Sequence, residues 1–508
     1  LSDRSPLKAL YQKILETTDP KAKKHLQEQL RAEMQPGSID VNIMTKLDKT
    51  NYSADKKQLP AEFSDALAAL RGYAQSTLNS AIVFSAGINR RLYTYVEKFE
   101  DFYADATGFI KKKIVLKVSD YRSSIIQGLF FAKKGLWISE FRVESGLNCG
   151  GHAFASDGFL MGPILEEFKN RKNELIEGLH EAYNEALKLK HRMTFDRPHE
   201  TRVTAQGGIG TAKEDQFLLD HYKIDGTGWA TPFQLVPEVT NVDPDTLKKL
   251  AAAGENDLYL SDVSPLGVPF NNLRDNNSDQ EKKRRIEAGR PGSACPKEYL
   301  VSKTEFTERP ICAASRQYQK LKIEELQKKN LTQEEFQKEY DKIVDKACIC
   351  NDLAQAPLIN HNLGKTNETH FTAVCPGPNL AYFSQIVSLR EMVDHIYGRI
   401  NLLNDTYRPN MFITELKMYF DYFKKEVEKG AINPTKKQIE RLEEFRKNLT
   451  DGINYYVGLF PQMVNETAEY RQRAYEELEQ FKKKIKNLLV EYGHVLSLFP
   501  PKPVLISI

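Results

Sequence analysis

What this chain lacks narrows it first. No apolar run among its 508 residues approaches the length of a membrane span, so no membrane partner is expected. Charge of either sign is not in excess: 72 Lys and Arg stand against 69 Asp and Glu, for a net charge of +3. So balanced a chain has no field to draw it to nucleic acid. Cysteine is scarce. Six residues, two of them in Cys348-Ile349-Cys350, do not make the disulfide framework of a small secreted domain. The first residues, Leu1 to Leu10, have no signal-peptide core, and a cytoplasmic protein is expected. The chain opens on Leu rather than Met, so a native N-terminus further upstream is left open.

What is present alternates. Residues 1–35 are charged and helical in period, closed by Pro36-Gly37. Buried-strand patterns follow near residues 40, 82, 115, 138, 204, 227 and 259, with amphipathic helices between most of them. Strand and helix in turn argue for right-handed βα units, hence an α/β fold with a parallel sheet of the TIM (β/α)8-barrel type. Seven strands are visible where a closed barrel has eight, so the first is expected before residue 1.

Several strand ends carry candidate chemistry. The apolar run Leu136 to Val143 leads into Glu144-Ser145-Gly146-Leu147-Asn148-Cys149-Gly150-Gly151-His152. Small residues followed by an imidazole at a strand's C-terminal mouth make His152 the candidate catalytic residue. Gly207-Gly208 opens the helix expected from Ala212, and a helix N-terminus attracts an anion through its backbone amides. Ala230-Thr231, after the next strand, adds amides and a hydroxyl to this phosphate candidate.

Taken together, Val41-Asn42, Gly150-Gly151-His152, Gln206-Gly207-Gly208-Ile209, Ala230-Thr231-Pro232-Phe233 and Pro237-Glu238 are ordered and spaced like a known set. Residues 40–274 resemble the FMN-dependent nitronate monooxygenase family, also called 2-nitropropane dioxygenase-like, which includes FMN-dependent enoyl-acyl-carrier-protein reductases. The resemblance implies a TIM barrel with FMN at the C-terminal mouth. Asn42 and Lys117 would contact the flavin or its ribityl chain. Gly150, Gly151, Gln206, Gly207, Gly208, Ala230 and Thr231 would surround ring edge and phosphate, with Glu144 among them. Lys117 beside the flavin would stabilise its anionic reduced form. A plainer reading makes Lys117 a strand-end lysine paired with Glu144. The chain departs from the family pattern in three places: the first strand with its Gly-Met turn is absent, Ala230 stands for Gly, and one residue is inserted before Gly150, which sets Cys149 beside the site.

Residues 1–275 are thus expected to be the FMN-binding barrel, 276–317 a linker, and 318–508 a helical region. Helical spacing marks residues 318–346, 379–404, 410–430, 435–457 and 464–492. Cys312, Cys348, Cys350 and Cys375, with Cys295, His361 and His370, are enough ligands for zinc or an iron–sulfur cluster, although no standard spacing relates them. The expected function is an FMN-dependent oxidoreductase that oxidises a small nitronate-like or alpha-acidic substrate with dioxygen, His152 managing the substrate proton. The alternatives are an NAD(P)H-dependent enoyl-thioester reductase, whose C-terminal helices receive an acyl carrier protein, and a degenerate barrel that acts as a binding scaffold. A homo-oligomer is an open expectation.

Overall fold

The computed structural model describes residues 5, 7–34, 37–55 except 44–47, 57–85, 88–147, 157–363, 371–430 and 435–496. Two N-terminal helices, α1 (Lys8–Glu16) and α2 (Pro20–Glu33), precede the sheet. The strands β1 (Val41–Ile43), β2 (Ser80–Phe84), β3 (Lys112–Val118), β4 (Ile138–Glu144), β5 (Arg202–Gln206) and β6 (Gly226–Gly228) pair in sequential order, every pair parallel. That is the order of an unclosed barrel. The helices between them are α3 (Asp65–Ala74), α4 (Arg90–Tyr95), α5 (Tyr121–Ala132), α6 (Met161–Leu189) and α7 (Ala212–His221).

The two faces of the sheet differ because side chains alternate along a strand. Ile82, Phe84, Ile114, Leu116, Val118, Phe141, Val143, Val203 and Ala205 join the main core with α5 and α6. On the opposite face Ala81, Val83 and Val115 form a small apolar patch. Beyond it this face is polar. Arg142 Nε donates to Glu140 Oε1 at 2.8 Å and Thr204 Oγ1 donates to the same oxygen at 2.6 Å. A closed barrel fills this face with branched apolar side chains; here its C-terminal half carries ion pairs. A bulge at Ser139, where Ile114 pairs Ile138 but Val115 pairs Glu140, turns Ile138 to the helical side with Phe141.

The pattern expected near residue 259 is a strand, but it is not the seventh of this sheet. After α8 (Pro244–Ala252), β7 (Leu258–Ser261) pairs antiparallel with β8 (Phe270–Leu273) as a separate hairpin. The segment 276–317, expected as a linker, begins with a helix, α9 (Asn277–Glu287), because Asn276 caps it: its Oδ1 accepts from Asp279 N at 2.9 Å. The helical pattern at 318–346 divides into α10 (Arg316–Gln327) and α11 (Gln333–Val344), since Thr332 and Glu335 form a capping box that starts a new helix. The short helices α12 (Ile349–Asp352) and α13 (Ala356–Asn360) follow. Within 379–404 only α14 (Leu389–Ile396) and a 3-10 turn at Pro378–Tyr382 are helical. The last three helices match their expected spans: α15 (Met411–Gly430), α16 (Lys436–Leu459) and α17 (Ala468–Leu496). Leu416, Phe423, Leu449, Tyr456 and Leu478 from these helices belong to the same core as the sheet, so one apolar interior runs from the strands to α17.

Candidate active site

The C-terminal ends of β3, β4 and β5 bring three expected site residues into contact. Lys117 Nζ lies 3.1 Å from Glu144 Oε1, and Gln206 Nε2 donates to that oxygen at 2.7 Å. The register makes this possible: Lys117 pairs Arg142 and Glu144 pairs Gln206, so all three side chains rise from the polar face on adjacent strands. Lys117 therefore has the ion-pair partner of its plainer reading. At 13% and 18% side-chain exposure, the pair remains reachable by solvent or ligand. Asn42, on β1, is exposed and pairs Val83 in register, two strands away from Glu144's neighbour Lys117.

The glycine turn after β5 has the backbone its residues demand. Gly207 and Gly208 take φ of +107° and +79°, the left-handed side that glycine alone enters without strain. A Cβ on Gly208 would also meet Leu147 Cδ1 at 2.6 Å. Thr231 is buried and begins a 3-10 turn for which Ala230 is the N-terminal flanking residue. At the start of α7 one amide is already taken: Gly210 N donates to Glu214 Oε2 at 2.9 Å, and Thr211 Oγ1 caps Glu214 N at 3.1 Å. A carboxylate thus sits where the helix N-terminus was expected to meet phosphate.

That carboxylate is held from the far end of the chain. Arg408 Nη1 donates to Glu214 Oε1 at 2.8 Å, Nη2 to the Gly208 carbonyl at 2.7 Å, and Nε to Asn379 Oδ1 at 2.7 Å. Asn379 Nδ2 in turn donates to the Ile209 carbonyl at 3.0 Å. His395 completes the ring. Its Nδ1 lies 3.2 Å from Leu402 N and its Nε2 lies 3.1 Å from the Gly210 carbonyl, and burial holds the imidazole below its ordinary pKa.

The stretch with Gly150, Gly151 and His152, and Cys149 beside them, lies outside the described residues. Its flanks are described. Ser145 follows β4, and its hydroxyl donates to Glu415 Oε1 at 2.7 Å; at the other flank Met161 N donates to Glu415 Oε2 at 2.8 Å. Glu415 is 2% exposed, and burial pushes its carboxyl up to about 7. A cleft of about 790 Å³ opens nearby, between the β7–β8 hairpin and α15–α16, lined by Tyr259, Arg274, Tyr382, Lys417, Met418 and Phe445 among others. Met418 packs against Gly146 and Phe445 against Gly158. Among the described residues, none of the site residues expected from sequence lines this cleft.

Five of the cysteines gather in one cluster, and the described residues form no metal site there. Cys295, Cys312 and Cys348 are buried, Cys350 and Cys375 half-buried, and all five are free thiols within one apolar cluster. Hydrogen bonds with Cys312 and Cys348 push the Cys295 thiol up, and those from Cys295 and Cys350 draw Cys348 down. Among the described residues, no group of three or more His, Cys, Asp or Glu is disposed to hold a metal ion. His361 is exposed, and His370 lies outside the described residues. The expected zinc or iron–sulfur cluster therefore finds no support.

Arg408, Glu214, Asn379, His395 and Glu415 had no sequence signal as site residues. Only a charged residue inside an apolar helical stripe, as with Glu415 between Ile413 and Leu416, hints at a buried role. Among the described residues no helix is long and apolar enough to cross a membrane.

No family model and no curated protein matches the chain. Among solved structures, it is similar to a point mutant of FabK from Thermotoga maritima, at 11% identity and a TM-score of 0.35, over 80% of this chain and 84% of that one. It is also similar to the enoyl reductase domain of MlnA from the macrolactin biosynthesis cluster of Bacillus amyloliquefaciens, at 12% identity and a TM-score of 0.36, over 89% and 88% of the two chains. Overlaps this low assign no activity.

Proposed function

We propose that this chain is an FMN-dependent oxidoreductase of the nitronate monooxygenase and enoyl reductase class. The observation that carries the reading is the meeting of Lys117, Glu144 and Gln206 at one edge of a sequentially ordered parallel sheet, beside the left-handed Gly207-Gly208 turn. Three strands contribute to one polar cluster at their C-terminal ends, the edge on which barrel and open α/β folds build ligand sites.

The residues fit the chemistry of a flavin mononucleotide. Lys117 offers a cation, Gln206 an amide donor, and the Gly207-Gly208 turn a close backbone approach; Thr231 adds a hydroxyl. FMN, when bound, supplies two-electron transfer. Glu144 orients the Lys117 ammonium and the Gln206 amide through one oxygen, which fixes where a ligand finds its donors. His152 is assigned the substrate proton, since an imidazole exchanges protons near neutrality without special tuning. Glu214 and Arg408 carry no reaction step; they hold the turn that precedes α7.

Between the two chemistries expected from sequence, reduction of an enoyl thioester by NAD(P)H gains from the cleft. About 790 Å³ beside Gly146 and Gly158, not lined by Lys117, Glu144 or Gln206, is room for the extended part of a substrate that a small nitronate lacks. The deciding experiment is an absorption spectrum of the purified protein with and without added FMN, followed by anaerobic NAD(P)H oxidation with an enoyl thioester. Flavin bands with thioester-dependent oxidation support the reductase, and flavin bands with nitronate-dependent oxygen uptake support the oxygenase. A protein that takes up no FMN would overturn both and leave the scaffold reading. In a flavin-loaded protein, His152→Ala should keep the bands and lose turnover; unchanged turnover removes His152 from the reaction.

A further inference from the structure

Two side chains within the eight-residue span 408–415 of the C-terminal region reach both loops of the candidate site. Arg408 holds the Gly208 carbonyl of the β5–α7 turn, and Glu415 holds both flanks of the β4–α6 connection. The Glu415 contacts answer a local need. Helix α6 is 29 residues long, and its N-terminal flanking residue, Leu160, supplies no side-chain cap. The unpaired amides of a helix start must find acceptors, and negative charge there is favoured by the helix dipole. Glu415 Oε2 accepts from Met161 N, and Tyr456 Oη accepts from Gly162 N at 3.1 Å and lies 3.4 Å from Glu415 Oε2. The other oxygen, Oε1, takes the Ser145 hydroxyl, while Ser145 Oγ itself accepts from Leu147 N at 3.2 Å. Among the described residues its hydrogen-bond partners include no cation. A carboxyl buried in this way is tolerated only while its donors stay in place, so its burial and the position of the two flanks require each other.

We propose that Glu415 is a positioning residue for the β4–α6 connection: one side chain of the C-terminal helices sets the end of β4 and the start of α6 relative to each other. Arg408 does the same for the β5–α7 turn through the Gly208 carbonyl. The helical region is then part of the site's architecture rather than an attachment to it. Only the cofactor readout below rests on the proposed flavin function.

The test is amide hydrogen exchange on the full chain, paired with FMN titration. Ser145→Ala removes one contact at a loop position and should raise exchange about tenfold at residues 145–147 while leaving 207–211 unchanged. Glu415→Ala should raise it at both 145–147 and 161–164. Glu415→Gln should restore protection, because its amide oxygen accepts from Met161 N and its amide nitrogen donates to Ser145 Oγ. FMN affinity should fall about tenfold in Ser145→Ala and Glu415→Ala and recover in Glu415→Gln. Wild-type exchange at 145–147 in Ser145→Ala overturns the proposal, and so does exchange raised evenly over the whole chain in Glu415→Gln. Should Glu415→Ala fail to fold, Ser145→Ala and Glu415→Gln still decide. If the wild-type protein binds no FMN, the flavin reading falls and the exchange data judge the positioning role alone.

Discussion

Arg408 and Glu214 form an ion pair of 2.8 Å with side chains only 5% and 3% exposed, joining a residue three positions before α15 to the first turn of α7. The pair is not isolated, for Met411 N also donates to Glu214 Oε1 at 2.8 Å and Asn379 takes the third guanidinium contact. Removing one partner leaves the other charge buried without its counter-ion. Arg408→Ala is therefore expected to cost about 3–5 kcal/mol in denaturant unfolding. Arg408→Lys should recover little of it, since a single ammonium cannot reproduce a fork that reaches Glu214, Gly208 and Asn379 together. A loss below about 1 kcal/mol would place the pair among solvated ones.

Gly208→Ala meets two obstacles at once. The backbone sits at φ +79°, and the new methyl would lie 2.6 Å from Leu147 Cδ1. A destabilisation of about 1–3 kcal/mol is expected from the backbone alone. Leu147→Ala in the same chain relieves only the contact, so the double variant should recover part of the loss in a thermal melt. Full recovery would show that the backbone is not strained.

Stability should depend on pH through Glu415. Burial raises its carboxyl from 4.5 to about 7, so the folded state holds this proton more tightly than the unfolded chain does. The resulting stabilisation is fully present below about pH 4.5 and is lost as pH rises through about 7. Glu415→Gln has no such proton. The stability of wild type minus that of the variant is expected to fall by about 3 kcal/mol from pH 4.5 to pH 8. Parallel pH curves for the two proteins would mean that the carboxyl titrates normally.

Lys117→Met should leave the fold intact, because a partly solvated pair such as Lys117–Glu144 contributes at most about 1 kcal/mol. In a flavin-loaded protein the same change should lower the reduction potential of the cofactor by removing a nearby positive charge. An unchanged potential would leave Lys117 with its ion-pair role only.

Much of the scaffold was legible because it depends on local pattern. The strands at 80–84, 112–118 and 138–144 and the helices at 161–189, 212–221, 411–430 and 436–459 follow apolar periodicity, and Gly207-Gly208 forecast a turn that needs positive φ. The strand at 258–261 reads the same in either pairing, so its period could not reveal an antiparallel hairpin with 270–273. Helix α9 hid in a polar stretch whose only signal was the Asn276 cap.

The amino-acid order by itself determined the alternation of strand and helix, the strand ends at which Lys117, Glu144, Gln206 and the glycine pair stand, and the helical C-terminal third. It did so because propensity, capping and period act over a few residues. Tertiary structure decided what those strand ends touch. Arg408 meets Gly208 across a sequence separation of 200 residues, and Glu415 meets Ser145 across 270. Lys112, an ordinary strand lysine in sequence, is wholly buried, its ammonium on the Ser76 carbonyl at 3.0 Å and over the Tyr73 ring. A charged side chain carries at most a faint local mark of burial, as Glu415 does in its apolar stripe; its place is set by whether distant donors and acceptors arrive to replace water, and only the folded chain brings them together.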